Sequence, residues 1–261
     1  MTALALADYV PDRSLGAKIR RRLTRWKVAK PLPVQPRETY ICFTFDDFPK
    51  SAADTGAEIL DEVGARGGYY ACTGMAGTSG TMGELFDERD LAPLVAAGHE
   101  ICAHTESHVD CARASLNDVL VDIDTNLSHL KEMGHSLPVT QFAWPYGETS
   151  ASLKPAMTTK FDAVRGILPG ANNKGADLMQ LSAYELDASD ASTARAAAAI
   201  EAAAKNPTWL FVFTHDVRQN GSPWGTTPED LRRLVRLARD TGANLVTPSH
   251  AVQEILAKDA A

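Results

Sequence analysis

Two adjacent carboxylates end an apolar run early in the chain. Residues 41–45 are rich in strand-forming side chains, and Asp46 and Asp47 follow them directly. The run predicts a buried strand, and burying two carboxylates at its end is costly unless a cation compensates. A solvated turn is the common explanation of an Asp-Asp pair. The pair therefore indicates a metal only if other parts of the chain supply further ligands.

Three later apolar runs also end in polar or conformationally special residues. His104 and His108 follow one of them, Pro145-Tyr146-Gly147 follows the next, and His215 follows residues 209–214. Two histidines four residues apart share one face if the segment is helical, although such a pair alone is often a satisfied surface or core pair. Together with a strand-end carboxylate they supply three ligands and leave a position for water, as in catalytic zinc sites.

The elements that must position these side chains alternate along the chain. Periodicity and turn residues predict helices near 53–65, 88–97, 115–133, 149–159, 191–205, 228–241 and 248–258. Strands are predicted near 39–45, 68–72, 99–103, 140–144, 162–167, 181–186, 209–214 and 243–247. Alternation of this kind is typical of a parallel α/β barrel or a doubly wound sheet. In both folds the chemistry lies at the carboxyl ends of the strands.

Composition excludes several classes of protein. With 44% hydrophobic and 23% charged residues, the 261-residue chain is typical of a folded domain and contains no apolar run long enough to span a membrane. The four cysteines lack any C-x-x-C pair, which favours buried thiols in a reducing compartment. No basic region precedes the short Ala-Leu stretch at the start, so we predict a cytoplasmic protein without a secretory signal.

Positive charge is concentrated near the N-terminus. Residues 13–30 contain eight basic residues and no acidic one. Since the whole chain has a formal net charge of −7, the residues outside this segment sum to −15. We predict a helix over 14–29 with a narrow apolar stripe, which consists of Leu15, Ile19, Leu23 and Trp26. Such a helix suits the anionic inner face of the cell membrane. The alternatives are that the stripe packs on the domain itself, or that the basic arm meets the acidic remainder of the chain or a second subunit; nucleic acid is not expected.

The ordered set of strand-end motifs resembles a known family. Residues 44–47 (Thr-Phe-Asp-Asp), 104–108 (His-Thr-Glu-Ser-His), 144–147 (Trp-Pro-Tyr-Gly) and 213–216 (Phe-Thr-His-Asp) are similar to the successive motifs of the polysaccharide deacetylases, the NodB-homology proteins of carbohydrate esterase family 4. The resemblance implies a distorted (β/α)7 barrel. We accordingly divide the chain into a basic helix and linker over residues 1–37 and a catalytic domain over residues 38–261.

The resemblance also implies roles for particular residues. Asp47, His104 and His108 would hold a divalent metal, usually zinc in this family, although the donor set also suits cobalt, nickel or iron. Asp46 would be the general base and His215 the general acid. The backbone N–H of Tyr146, in the tight turn that begins at Pro145, would bind the oxyanion.

Two motifs depart from the family pattern. An Arg that pairs with the catalytic base in the family is replaced here by Ala143, and we predict that Arg165 from the next strand reaches Asp46 instead. A family Trp is replaced by Ala191, and Asp187 or Asp190 is expected to orient His215.

Four residues are predicted to bind the sugar itself. Trp224, in the loop after His215, and Trp144 are the candidates for stacking on a sugar ring, although a loop Trp also has a packing explanation. Pro145 and Tyr146 would line the same site by resemblance.

The expected activity is removal of N-acetyl groups from amino-sugar units, with release of acetate. A cytoplasmic enzyme would act on a lipid-linked, nucleotide-linked or free precursor, and by family analogy we expect a role in exopolysaccharide biosynthesis similar to that of the holdfast deacetylases. The same site would also suit an O-acetyl esterase or a cyclic-amide hydrolase. A catalytically silent sugar-binding barrel is the non-enzymatic alternative, motivated by the loss of the motif Arg at Ala143.

Overall fold

The computed structural model describes residues 14–257, and one mostly parallel sheet forms its centre. The strands are β1 (Tyr40–Asp46), β2 (Gly68–Ala71), β3 (Ser79–Gly80), β4 (Gly83–Glu84), β5 (Glu100–Ala103), β6 (Gln141–Ala143), β7 (Ala163–Arg165), β8 (Tyr184–Glu185), β9 (Trp209–Thr214) and β10 (Asn244–Leu245). The helices are α1 (Leu15–Trp26), α2 (Ala57–Asp61), α3 (Glu88–Ala96), α4 (Leu116–Glu132), α5 (Leu153–Met157), α6 (Asp190–Ala203), α7 (Pro228–Asp240) and α8 (Pro248–Ala257).

The predicted alternation of strands and helices is confirmed. The parallel sheet runs in the order β7-β6-β5-β2-β1-β9-β8, and β10 pairs with the first residues of β1. It curls into the incomplete barrel expected of the deacetylase fold, with helices packed on its outer face. The antiparallel β3–β4 hairpin was not predicted, because its two-residue strands lie in a Gly-rich segment without an apolar pattern.

The central strand β1 is buried on both faces. Phe43 and Phe45 pack in a cluster with residues of α2, α6 and α7, whereas Tyr40 and Cys42 face a second cluster with β6, β7 and β9. This two-sided burial explains why the strand is a continuous apolar run. Since successive side chains alternate between faces, Asp46 shares the face of Cys42.

Helix α1 packs on the body through the face opposite its apolar stripe. Ala17 and Thr24 are its buried residues, and fully buried Lys154 donates from Nζ to the Thr24 carbonyl at 2.7 Å. The Asp177 carboxylate pairs with Lys154 at 2.7 Å and accepts backbone N–H bonds from Ala29 and Lys30 just after the helix. The interpretation that the stripe packs on the domain itself is therefore wrong.

The boundary proposed at residues 37 and 38 stays a prediction, and residues 1–13 of the proposed N-terminal unit lie outside the described residues. The four cysteines are free and buried, as predicted. None of the helices in residues 14–257 combines the length and the apolar composition needed to cross a bilayer.

Candidate active site

The three predicted ligands converge at the carboxyl ends of β1 and β5. The Nε2 atom of His108 lies 3.2 Å from Asp47 Oδ1, and the Nε2 atom of His104 lies 3.6 Å from the same oxygen. One ligand atom from each residue lies within 4.8 Å of the others, and all three side chains are nearly inaccessible to solvent. The strand that separates β1 from β5 is β2, so the turn after each strand end must bring these ligands together.

The chemistry of this cluster fits a cation. The Ala143 carbonyl lies 2.9 Å from His104 Nδ1; since a carbonyl only accepts, that nitrogen carries the hydrogen and Nε2 presents a lone pair. Burial lowers the pKa of His104 and of His108 to about 4, so both rings are neutral at physiological pH. Asp47 Oδ1 is buried without a hydrogen-bond donor. A buried carboxylate oxygen without a donor, set against two neutral imidazoles, is the donor set of a divalent metal.

Backbone strain is concentrated in the loops that carry these ligands. Positive φ angles occur at Asp47 (56°), Phe48 (55°), Thr105 (64°), His108 (53°) and Tyr146 (57°). Within residues 14–257, only one other non-glycine residue has a positive φ. Each such conformation costs about 1–3 kcal/mol and persists only where surrounding packing enforces it. Fully buried Phe48 provides part of that packing, because its ring stacks on Phe86 at 4.5 Å.

Arg165 lies against Asp46. Its Nη2 donates to Asp46 Oδ1, and its Nη1 donates to the Gly166 carbonyl at 2.9 Å. The guanidinium lies between two aromatic rings, 4.9 Å from the centroid of Tyr70 and 4.6 Å from that of Phe213. Burial raises the pKa of Asp46, but the charge and hydrogen bond of Arg165 together with the nearby His104 and His215 outweigh burial, and the pKa falls below its usual value.

The register of the sheet explains how Arg165 can take the place of a missing motif Arg. Ala143 on β6 pairs directly with Arg165 on β7. A side chain from the adjacent strand at the same level therefore reaches the space that a side chain at position 143 would occupy. The contact predicted from the sequence is present, whereas the supporting role of Arg165 stays a prediction.

His215 faces the cluster from the end of β9. Its Nε2 lies 3.9 Å from Asp47 Oδ2, and its Nδ1 lies 3.2 Å from the Trp224 carbonyl. Because that carbonyl accepts, Nδ1 carries the hydrogen and Nε2 is directed at the site. The prediction that Asp187 or Asp190 orients this ring is wrong. Asp187 instead accepts from the Ser189 backbone N–H at 2.7 Å, at the start of α6, where Asp190 is the first residue.

A buried carboxylate beside His215 organises the loop that supplies the Trp224 carbonyl. Asp216 accepts from the backbone N–H and the hydroxyl of Ser222 and from Arg218 Nε at 2.7 Å. A Cβ atom at Gly225 would lie 2.4 Å from Asp216 Oδ1, so only glycine fits against the carboxylate. Sequence reasoning assigned no role to Asp216. The available signal was a buried-strand His-Asp pair followed within ten residues by two glycines.

Residues of α4 hold the loop between His104 and His108. The Asp122 carboxylate accepts from the backbone N–H of Glu106 at 2.7 Å and from the Ser107 hydroxyl at 2.6 Å. Buried Asn126 donates from Nδ2 to Thr73 Oγ1, and that hydroxyl donates to the Glu106 carboxylate. These partners were also missed, because nothing in the sequence pairs a helix residue with a loop some fifteen positions earlier.

Of the two tryptophans predicted to stack on a sugar, the structure buries one and exposes the other. Trp144 is 1% exposed, and its indole donates to the Met179 carbonyl at 3.0 Å, so the prediction that it stacks on a sugar is wrong. Trp224 is 43% exposed at the mouth of the site, 6.4 Å from His215 between ring centroids. Pro145 is buried, and half-buried Tyr146 packs against the edge of His108, with centroids 4.3 Å apart.

Comparisons with known proteins agree with this geometry. Residues 34–160 match the family model described as Polysaccharide deacetylase; this segment contains the candidate metal ligands and the turn at Tyr146. A sequence comparison with curated proteins gives no match.

Solved structures extend the likeness to most of the chain. The peptidoglycan deacetylase PdaC from Bacillus subtilis is 18% identical with a TM-score of 0.59, over 87% of this chain and 95% of that one. The chitin deacetylase from the fungal pathogen Colletotrichum lindemuthianum is 16% identical with a TM-score of 0.55, over 84% and 90%. A family 4 acetyl xylan esterase from Clostridium thermocellum, in complex with a cobalt ion, is 21% identical with a TM-score of 0.56, over 81% and 89%.

The family match and the fold are those of carbohydrate deacetylases and esterases, which are hydrolases. Residues 34–160 are similar to the polysaccharide deacetylase family, and the solved structures share the fold of the whole domain, so the resemblance drawn from the motifs is confirmed.

Proposed function

We propose that the protein is a metal-dependent deacetylase that hydrolyses the N-acetyl group of amino-sugar units and releases acetate. The observation that carries the proposal is that three kinds of group lie together at the carboxyl ends of the strands. These are the Asp47-His104-His108 cluster, an ionised Asp46 held by Arg165, and a histidine directed at the cluster from the opposite side. A bound divalent ion would polarise the acetyl carbonyl and acidify a water molecule.

The protein's own groups perform the proton transfers. Asp46, kept ionised by Arg165, accepts a proton from the attacking water as the water oxygen adds to the acetyl carbon. His215 Nε2 then gives a proton to the sugar nitrogen as the C–N bond breaks, which leaves acetate and a free amine. The Trp224 carbonyl, in the loop that Asp216 organises, fixes the direction of His215 through Nδ1. The assignment of the Tyr146 backbone N–H to the oxyanion stays a prediction from the resemblance.

The substrate that we propose is an N-acetylated oligosaccharide that serves as precursor of an exopolysaccharide. Exposed Trp224 at the mouth of the site supports binding of a sugar ring, because aromatic faces stack on the apolar face of a pyranose. Zinc is the metal that we propose, since one carboxylate and two imidazoles suit it. The cytoplasmic localisation also stays a prediction.

The proposal is tested by product analysis on two acetylated substrates. We expect N-acetylglucosamine oligomers to yield acetate together with an equal amount of free amine. Acetylated xylan serves as the comparison, since an acetyl xylan esterase shares the fold. Acetate from the xylan alone would replace the proposal with an O-acetyl esterase. Absence of acetate from both, with the metal bound, would favour a sugar-binding barrel or a cyclic-amide hydrolase.

A further inference from the structure

Helix α1 presents its apolar stripe to solvent. Leu15, Ile19, Leu23 and Trp26 are 78%, 58%, 56% and 66% exposed, on the side of the helix away from the buried Ala17. Four large apolar side chains aligned on one exposed face form a larger patch than isolated surface residues do, and such patches mark interaction sites. Because the opposite face of α1 is anchored through Lys154 and Asp177, the exposure of the stripe is built into the docking of the helix.

Positive charge borders the stripe on both sides. At about 100° per residue, Arg22 and Arg25 lie along one side of the stripe and Arg20 along the other. Arg22 also lies over the Trp26 ring, 4.6 Å from its centroid. No acidic residue occurs between positions 13 and 30, whereas the rest of the chain is strongly acidic. An apolar face bordered by arginines and ending in a tryptophan matches the boundary between lipid tails and anionic headgroups.

The helix lies beside the mouth of the candidate active site. Arg21 Nε pairs at 2.6 Å with Glu148, which follows the Tyr146-Gly147 turn. A groove of about 470 Å³ separates α1 from the site, and Trp26, Tyr146 and the exposed Ile167 and Leu168 line it. The apolar surface therefore continues from the stripe to the rim of the site.

We propose that the α1 stripe and its bordering arginines bind the surface of an anionic lipid bilayer and hold the mouth of the site at headgroup level. Uniform basic charge favours this partner over a second copy of the chain, because pairing two stripes about a two-fold axis would bring their bordering arginines against one another, and like charges repel. The placement favours a saccharide carried on a lipid as the substrate, and this last point rests on the proposed function.

Vesicle flotation with the full-length protein tests the proposal. We expect binding to phosphatidylcholine vesicles that contain phosphatidylglycerol, weak binding to phosphatidylcholine alone, and loss of binding at high salt. Leu23→Ser should weaken the binding about tenfold or more, because the side chain would be buried in the interface. Arg25→Gln should weaken it about fivefold, the effect of one basic residue near an anionic surface.

The chain offers a matched control for each variant. Leu137 is 55% exposed, almost the same as Leu23, and it lies in the loop before β6, at the end of the sheet away from the site. Leu137→Ser and Arg233→Gln should bind vesicles like the wild type. Equal binding by Leu23→Ser and Leu137→Ser, or no vesicle binding at all, would overturn the proposal. A dimer that Leu23→Ser dissociates, without vesicle binding, would assign the stripe to a second copy.

Solution activity separates this proposal from the proposed function. Leu23→Ser should release acetate from a soluble N-acetylglucosamine oligomer at the wild-type rate, since Leu23 is largely exposed on the side of α1 away from the body. Vesicle binding by a protein that releases no acetate would leave the membrane surface supported and the deacetylase activity refuted.

Discussion

Replacing Arg165 by Met should both destabilise the protein and shift its activity to higher pH. The guanidinium is 1% exposed and pairs with a carboxylate that is also buried. Methionine keeps much of the volume between Tyr70 and Phe213 but leaves the Asp46 charge without its partner. Removing one member of a buried ion pair costs about 3–5 kcal/mol, which for a chain of this size corresponds to a fall of roughly 6–20 °C in Tm.

The sign of the pH effect follows from the position of the Asp46 pKa. In the wild type that pKa lies below its usual value, so the carboxylate stabilises the native state above the unfolded pKa and this contribution is lost as pH falls through the folded pKa. Without the cation, burial raises the pKa of Asp46. The stability difference between wild type and variant should therefore be largest near pH 7 and shrink as pH falls. The acid limb of the pH–rate profile should move up by about 1–3 units.

The assays are thermal unfolding and acetate release, each measured from pH 4 to 8 with saturating metal. Arg233→Met is the matched control, because Arg233 forms an exposed pair with Asp230 at 2.6 Å and such pairs contribute about 0–1 kcal/mol. Arg165→Lys keeps the charge and should shift the acid limb less than Arg165→Met does. An Arg165→Met protein as stable as the control, with an unchanged acid limb, would refute the reasoning.

Four further predictions concern the site. Asp46→Asn should retain metal while kcat falls about 10²- to 10⁴-fold, whereas His104→Ala should lose metal; equal metal loss in both would contradict the division of the two roles. His215→Gln should retain metal and lose the basic limb of the pH–rate profile, and an unchanged limb would assign the acid elsewhere. Trp224→Ala should raise KM with little change in kcat, and an unchanged KM would remove it from the sugar site. Because the pKa of His104 and of His108 is about 4, zinc should be retained in dialysis at pH 5; release with a midpoint near pH 6.5 would contradict their burial.

The strand ends were predictable because burial and chemistry leave separate marks in the sequence. Buried parallel strands are continuous apolar runs, and a carboxylate or histidine at the end of such a run is conspicuous. Arg165 could be paired with Asp46 because the resemblance implied an Arg beside that carboxylate, and Ala143 stands in the position of the family Arg. Asp122 left no comparable mark, since its contact depends on how a helix and a loop pack, and the glycines that follow Asp216 were only an indirect one.

The sequence also could not predict in which direction some side chains point. The period of α1 located its apolar stripe, but it could not tell which side of the helix faces the body. That choice depends on Lys154 and Asp177, which lie far along the chain. Trp144 was misjudged similarly, because a motif position fixes the backbone while packing against Phe142 and the Met179 carbonyl directs the ring inward.

The central claim is tested most directly by metal content measured together with acetate release. The purified protein is analysed for metal, and its activity on N-acetylglucosamine oligomers is measured before chelation, after chelation and after zinc is restored. We expect one equivalent of metal and acetate release that chelation abolishes and zinc restores. A protein that binds no metal even when zinc is supplied, or that releases acetate equally well after chelation, would contradict the assignment of Asp47, His104 and His108.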